Sequence, residues 1–299
     1  MSIVLAVRIL TYNHEPFIRQ CLDSVINQET TFAFKVVIGE DFSTDKTAMI
    51  CKEYQDRYPE KIILRCAASN NLQVNSSSNW DNCFKLNPKY IALLEGDDYW
   101  TDPCKLQKQV DFLEANTDYA LCYHPVNVLF PDGTMEEDFI VKGLIDKPDS
   151  NIYDLATLGN YIHTPSVVFR NIIREFPYQF YQASIGDFFI YMLLAQQGNL
   201  YKLPDNMAVY RYGVGIHSSK TSAERSKKWI ETLKLIQECV EDKTVKRILE
   251  YRIDNDRLHS LPKNIRGLEA FDNINKAKVL STFVGPKELI KALFEKIKR

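Results

Sequence analysis

Residues Tyr90 to Leu94 form an unbroken apolar run that ends abruptly in Glu95-Gly96-Asp97-Asp98. An apolar segment of that length, bounded by turn-forming residues, has the pattern of a strand buried on both faces. Strands of this kind belong to parallel sheets covered by helices, which restricts the chain to α/β architectures. Three carboxylates within four residues repel one another unless a positive group stands among them. In open α/β sheets, ligands bind at the carboxyl ends of the strands. Hard oxygen ligands there suit Mg²⁺ or Mn²⁺, which also hold phosphate oxygens. The alternative is an acidic loop that caps the next helix, but Asp102, ahead of Pro103, is placed for that role. Asp97 and Asp98 are then left without one.

The rest of the first half repeats the strand–helix alternation. Ile3 to Leu10 and Phe34 to Gly39 read as strands, and Lys61 to Cys66 as a third. Pro16 opens a helix whose Phe17, Cys21, Leu22, Val25 and Ile26 form one apolar stripe. Ser43 or Thr44 is placed to cap a second helix, and a short third one is expected over Ser78 to Leu86. Right-handed crossovers would then bring the strand ends to one edge, so that Asp41 and Asp98 share a cleft. Neither GxGxxG nor GxxxxGK[ST] occurs, which counts against dinucleotide and P-loop chemistry.

Farther along, Tyr119 to Phe130 and His163 to Arg170 read as strands, and Met135 to Ser150 as a surface excursion. Asp187 stands at the mouth of an apolar helix, where an N-cap role is expected. Leu200 to Leu203 and Met207 to Tyr210 read as strands, followed by a loop that Gly213 and Gly215 leave free to move. From Thr221 the pattern is helical, with Trp229, Leu233 and Ile236 recurring. A last basic amphipathic helix after Pro286 offers a peripheral contact with an anionic membrane, or packing against the rest of the protein.

With 299 residues, 45% hydrophobic and 25% charged, the chain fits one large α/β domain with an appendage. A net charge of -2 argues against nucleic acid as a partner. Seven scattered cysteines without a CxxC pair read as reduced thiols of a cytoplasmic protein.

The order TYNHEPFIRQCLDSVINQ, VVIGEDFSTDKT and YIALLEGDDYW resembles family 2 inverting glycosyltransferases of the GT-A fold. The resemblance covers residues 1–218, a nucleotide-binding half to about 115 and an acceptor half beyond it; residues 219–299 form a helical C-terminal region. It implies a nucleotide-sugar donor, most simply UDP-linked, and a divalent Mn²⁺ or Mg²⁺. The acceptor would be a saccharide or lipid-linked saccharide of cell-surface polysaccharide or lipopolysaccharide synthesis, handled in the cytoplasm or at the inner membrane face. By position, Thr11, Tyr12, Asn13 and Glu15 would line the base and ribose, and Asp41, with Glu40 beside it, would meet the pyrimidine. Asp97 would lie near the ribose and sugar, and Asp98 would hold the metal. Asp187 would be the catalytic base. Arg211 would be a charge partner near the pyrophosphate and His217 a metal ligand or phosphate contact. Thr164 and Ser166 would meet the acceptor.

Two departures from the family pattern stand out. Phe42 replaces a usual glycine, so either the turn needs no positive φ or an aromatic face borders the nucleotide. Glu95 replaces the usual first aspartate. The competing function classes are a nucleotidyltransferase, which would need a glycine-rich basic loop where TYNHEP stands, and a catalytically silent nucleotide-sugar-binding protein.

Overall fold

The computed structural model describes residues 2–69, 72–138, 147–214 and 221–260. In the first half, β1 (Leu5–Thr11), α1 (Ile18–Ile26), β2 (Phe34–Glu40), α2 (Thr47–Arg57) and β3 (Ile62–Cys66) follow one another. Then come α3 (Leu72–Lys85), β4 (Tyr90–Glu95), the two-residue β5 (Tyr99–Trp100) and α4 (Lys105–Ala115). The second half begins with β6 (Tyr119–Tyr123), β7 (Asn127–Leu129), β8 (Met135–Glu137), β9 (Asp149–Ser150) and α5 (Ile152–Leu158). After a 3-10 turn at Thr164–Ser166 it continues through β10 (Val168–Arg170), α6 (Tyr178–Gln182) and α7 (Gly186–Ala195). It closes with β11 (Asn199–Lys202), β12 (Ala208–Arg211), α8 (Ser222–Cys239) and α9 (Lys243–Ser260).

The main sheet has the order β3-β2-β1-β4-β10-β6-β11-β9. Its first four strands are parallel; β10 runs antiparallel between β4 and β6. A second sheet has the order β5-β12-β7-β8. The alternation of side chains on β1 and β4 divides the apolar residues between two cores. Val7, Ile9, Ala92 and Leu94 pack under α1, α2 and α4, whereas Ile91 and Leu93 face Trp80, α7 and the C-terminal helices. Leu233 and Ile236 of α8 and Ile248 and Leu249 of α9 share that second core with Phe188 and Ile190 of α7. The described C-terminal helices therefore pack as part of this body. The basic segment after Pro286 lies outside the described residues.

Several local expectations are corrected. The run Tyr119 to Phe130 is two strands in different sheets, because His124-Pro125 interrupts the ladder between them. In the segment from His163, only Val168–Arg170 is strand; Thr164–Ser166 ahead of it is a 3-10 turn with Pro165 in its first residues. Helix α3 begins at Leu72, six residues before the expected Ser78. Helix α4 begins at Lys105, so Asp102 is not its cap. Asp102 Oδ1 instead accepts from the Cys104 amide (2.7 Å) in an Asx turn, and Oδ2 from Lys108 Nζ (2.8 Å). Neither Ser43 nor Thr44 caps α2; Asp45 Oδ1 takes the Thr47 amide at 2.9 Å.

Phe42 has φ +63°, so the turn after β2 does require the left-handed region that glycine adopts freely. This rules out the expectation that Phe42 marks a turn without positive φ. An L-residue there costs roughly 1–2 kcal/mol, and the ring, 49% exposed, recovers little by burial. Phe42→Gly is therefore expected to leave stability unchanged or raise it by up to ~1 kcal/mol, after the entropy of the unfolded glycine is subtracted. Phe42→Val, branched at Cβ, should lower stability. Denaturant midpoints in the order Val, Phe, Gly check this; a Gly variant less stable than wild type would show that the ring holds the turn.

Candidate active site

The register of the sheet assembles the site. Thr11 pairs with Glu40 and Leu10 with Glu95, so β1, β2 and β4 end side by side. The ladder runs one residue further on each side: the Asp41 amide donates to Thr11 O (3.0 Å) and the Gly96 amide to Leu10 O (2.8 Å). Asp41, Asp97 and Asp98 thereby reach the rim of one cavity of about 830 Å³, which Thr11, Tyr12 and Glu95 also line. Gly96 is needed for this approach. A Cβ there would stand 2.5 Å from Thr11 Oγ1 and 2.8 Å from His14 Nδ1. His14 was not singled out by the sequence reading. It bonds Thr11 Oγ1 through Nδ1 (3.2 Å) and brings Nε2 to 3.9 Å from Asp97 Oδ2.

Other predicted donor-site residues are used between loops rather than along the cavity wall. Asn13, itself at φ +54°, donates its amide to Ser43 Oγ (3.0 Å) and accepts the Thr44 amide on Oδ1 (2.8 Å). Glu15 accepts the Lys46 amide (3.1 Å), and its own amide donates to Asp45 Oδ2 (3.0 Å). Glu40 Oε1 accepts the Ser43 amide at 2.7 Å. These bonds fasten the loop after β1 to the loop after β2 and fix where Tyr12 and Asp41 stand.

Arg211 lies beneath the acidic turn and does not line the cavity. Its guanidinium sits 4.8 Å from the centres of both the Phe17 and Tyr99 rings. It donates to Asp97 O and to Gln20 Oε1, while its backbone amide donates to Asp98 Oδ1 (2.8 Å). Asp98 is 1% exposed, and its Oδ2 is buried without a hydrogen-bond partner. Burial, then the neighbouring Asp97 charge, pushes the Asp98 carboxyl well above its ordinary range, against the pull of the Arg211 amide. Burial and Asp97 likewise push Glu95 up to about 8, with Arg8 opposing.

An orphaned buried carboxylate oxygen beside a second carboxylate fits a divalent cation, whose charge would relieve both penalties. The described residues alone do not form a three-ligand cluster. Asp98 would therefore need oxygens from a bound ligand or from elsewhere in the chain to complete the shell. His217 lies outside the described residues.

Asp187 lines the same cavity, in the first turn of α7 but not at its N-cap, which is Ile185. This corrects the expected capping role. Asp187 Oδ1 accepts the Phe188 amide (2.7 Å), and Oδ2 accepts from Asn160 Nδ2 (3.1 Å) and Thr164 Oγ1 (3.3 Å). Thr164 thus faces the cavity and orients the carboxylate. Ser166 does not: fully buried, it donates Oγ–H to His163 O (2.7 Å) and is no acceptor contact. The turn carrying Thr164 is held from behind by Trp100 Nε1 on Pro165 O (2.9 Å) and Gln109 Nε2 on Ser166 O (2.8 Å).

A mixed sheet flanked by helices, with parallel strands whose acidic ends share one cavity, is the architecture of GT-A glycosyltransferases. Staphylococcus aureus TarS 1-349, solved with UDP, superposes with a TM-score of 0.60 at 15% identity over 95% of this chain and 92% of its own. The Pyrobaculum calidifontis mannosyltransferase PcManGT, solved with GDP-Man and Mn²⁺, does so with a TM-score of 0.60 at 16% identity over 98% of this chain and 86% of its own. The family model described as glycosyl transferase family 2 matches residues 6–176, and the chain belongs to that family. An uncharacterised protein of Mycobacterium tuberculosis is 38% identical over 226 residues, 74% of this chain. The match spans 62% of that relative's length. No helix among the described residues is long and apolar enough to cross a membrane.

Proposed function

We propose that the chain transfers a sugar, with inversion, from a nucleotide-diphosphate donor to an acceptor hydroxyl. A UDP-linked donor is the reading we adopt, and the acceptor we assign to cell-surface polysaccharide or lipopolysaccharide assembly. The observation that carries the reading is one cavity lined by Asp41, Asp97 and Asp98 at the strand ends and by Asp187 of α7.

Tyr12 and Thr11 border the nucleoside, and Asp41 accepts a hydrogen bond from the base. Asn13, Glu15 and Glu40 act one step back, holding the two loops in register. Asp97, steadied by His14, lies toward the ribose and sugar. Asp98 would hold a divalent Mn²⁺ or Mg²⁺, which when bound supplies positive charge to a leaving diphosphate. Asp187 receives the proton of the acceptor hydroxyl as its oxygen bonds to the anomeric carbon and the bond to the diphosphate breaks. Asn160 and Thr164 aim the carboxylate for that step. Attack from the face opposite the leaving group inverts the centre, so the chain needs no covalent nucleophile of its own.

Calorimetric titration of UDP, GDP and dTDP, each with and without Mn²⁺ or Mg²⁺, tests the donor side. One nucleotide should bind in a metal-dependent way, and Asp98→Ala should weaken it by at least ~10-fold, the loss expected for removing one charged contact. Binding that ignores both metal and substitution would remove Asp98 from its role. No binding of any nucleotide would overturn the donor reading.

A further inference from the structure

We infer that the cavity wall built by α8 and α9 receives an anionic group, a phosphate or a carboxylate, carried by the acceptor. This rests on the transfer reading above and extends it to acceptor class.

Charge in the cavity is segregated. Among the described lining residues, the strand-end side carries Asp41, Glu95, Asp97 and Asp98 with Arg8. Helices α8 and α9 contribute Arg225, Lys228 and Arg252 to the lining, with Trp229, whose ring lies 4.8 Å from that of Phe188, the neighbour of Asp187; outside the lining, the Asp256 charge acts on Arg252. Arg225 and Lys228 are one helical turn apart and therefore point the same way, with Trp229 beside them. An in-line displacement fixes which substrate meets which wall. The attacking hydroxyl must reach the anomeric carbon opposite the departing diphosphate and give its proton to Asp187, so the acceptor lies by Asp187, which α8 adjoins through the contact of Trp229 with Phe188. The diphosphate lies at the other end, with Asp98. Three cations on the acceptor's side are therefore not explained by the donor.

Arg252 is held in place rather than solvated. Nη1 donates to Thr157 O (2.6 Å), and the guanidinium lies 5.3 Å from the centre of the Trp229 ring. Gly159, at φ +89°, makes room for it; a Cβ there would stand 2.7 Å from Nη2. Its Nε–H is buried without an acceptor. The next residue, Asn160, is the one that orients Asp187. A charged acceptor on this wall therefore sits within one residue of the group that aims the base. Arg225 and Lys228 also contact protein groups, so a bound anion would share them. Both helices lie beyond residue 176, where the family match ends, so this selectivity belongs to the chain's own C-terminal region.

The test uses three sugar probes of equal size class: glucose 1-phosphate, glucuronic acid and methyl glucoside. Each is titrated into the full chain, with and without the nucleoside diphosphate it binds. At least one charged probe should bind ~10-fold more tightly than methyl glucoside, the range of a charged hydrogen bond. That preference should shrink as salt rises from about 50 to about 500 mM. Which charged probe wins distinguishes phosphate from carboxylate. Arg225→Ala with Lys228→Ala should abolish the preference, Arg225→Lys should keep it, and nucleotide affinity should change less than about twofold in both. Equal binding of all three probes, no binding of any, or a preference that survives the double substitution overturns the inference. Because the nucleotide-free titration is run as well, failure of nucleotide binding would count against the donor reading alone.

Discussion

Replacing Asp187 by asparagine is expected to lower sugar transfer by ~10²- to 10⁴-fold while leaving nucleotide affinity within about twofold. The substitution keeps shape and removes the proposed proton acceptor. Three donors converge on this carboxylate, from the Phe188 amide, Asn160 Nδ2 and Thr164 Oγ1. An asparagine can satisfy only part of that set, because its NH₂ must face a former donor. The Thr164 hydroxyl can turn to accept, so the stability loss should stay near ~1 kcal/mol. Release of nucleotide from the donor sugar, to acceptor or to water, reads the chemical step, and titration of the nucleotide reads binding. Undiminished turnover in a folded Asp187→Asn protein would remove Asp187 from the base role. Equal loss of binding and turnover would make it a donor contact instead.

The parts of this site that were legible in the sequence are those fixed by local pattern. The apolar run Tyr90 to Leu94 defines a central strand, and the acidic residues after it must emerge at the same sheet edge as Asp41 once the strands are parallel. Asp187 was pointed to by the family resemblance; its place at the mouth of an apolar helix suggested only a cap, which Ile185 occupies instead. Residues that act through tertiary contacts left no such signal. Asn160 lies in a loop and reaches Asp187 only because α5 and α7 pack together. His14 carries no pattern of its own, and its contact with Thr11 depends on Gly96 leaving space beside both. The split of β6 from β7 was visible in principle, since Pro125 cannot donate to a ladder. Phe42 misled in the opposite way: an aromatic residue argued against positive φ, and the loop after β1 overrides that preference by clasping Ser43 and Thr44.

Arg211 illustrates how far a correctly located residue can differ from its expected use, and its removal should have the second large effect. Arg211→Met keeps much of the side chain's bulk between the Phe17 and Tyr99 rings but deletes the guanidinium. Asp97 O and Gln20 Oε1 then lose their donor. The buried pair Asp97 and Asp98, 5% and 1% exposed, loses the cation beneath it. Breaking a buried charged arrangement by deleting one partner costs ~3–5 kcal/mol. Here the cost should be nearer ~2–4 kcal/mol, because the guanidinium bonds a backbone carbonyl and an amide oxygen rather than a carboxylate. The backbone amide still donates to Asp98 Oδ1 in the variant, so the loss reports the guanidinium alone. Arg211→Lys should rescue little, since a single ammonium cannot reach both acceptors as a planar fork does. Asp98→Asn in the Arg211→Met background should recover part of the stability, because it removes one of the two repelling carboxylates; a double-mutant cycle measures that coupling. Nucleotide affinity should fall ~10-fold or more with Arg211→Met as the acidic turn loosens. An unchanged unfolding midpoint with weakened nucleotide binding would return Arg211 to direct contact with the diphosphate.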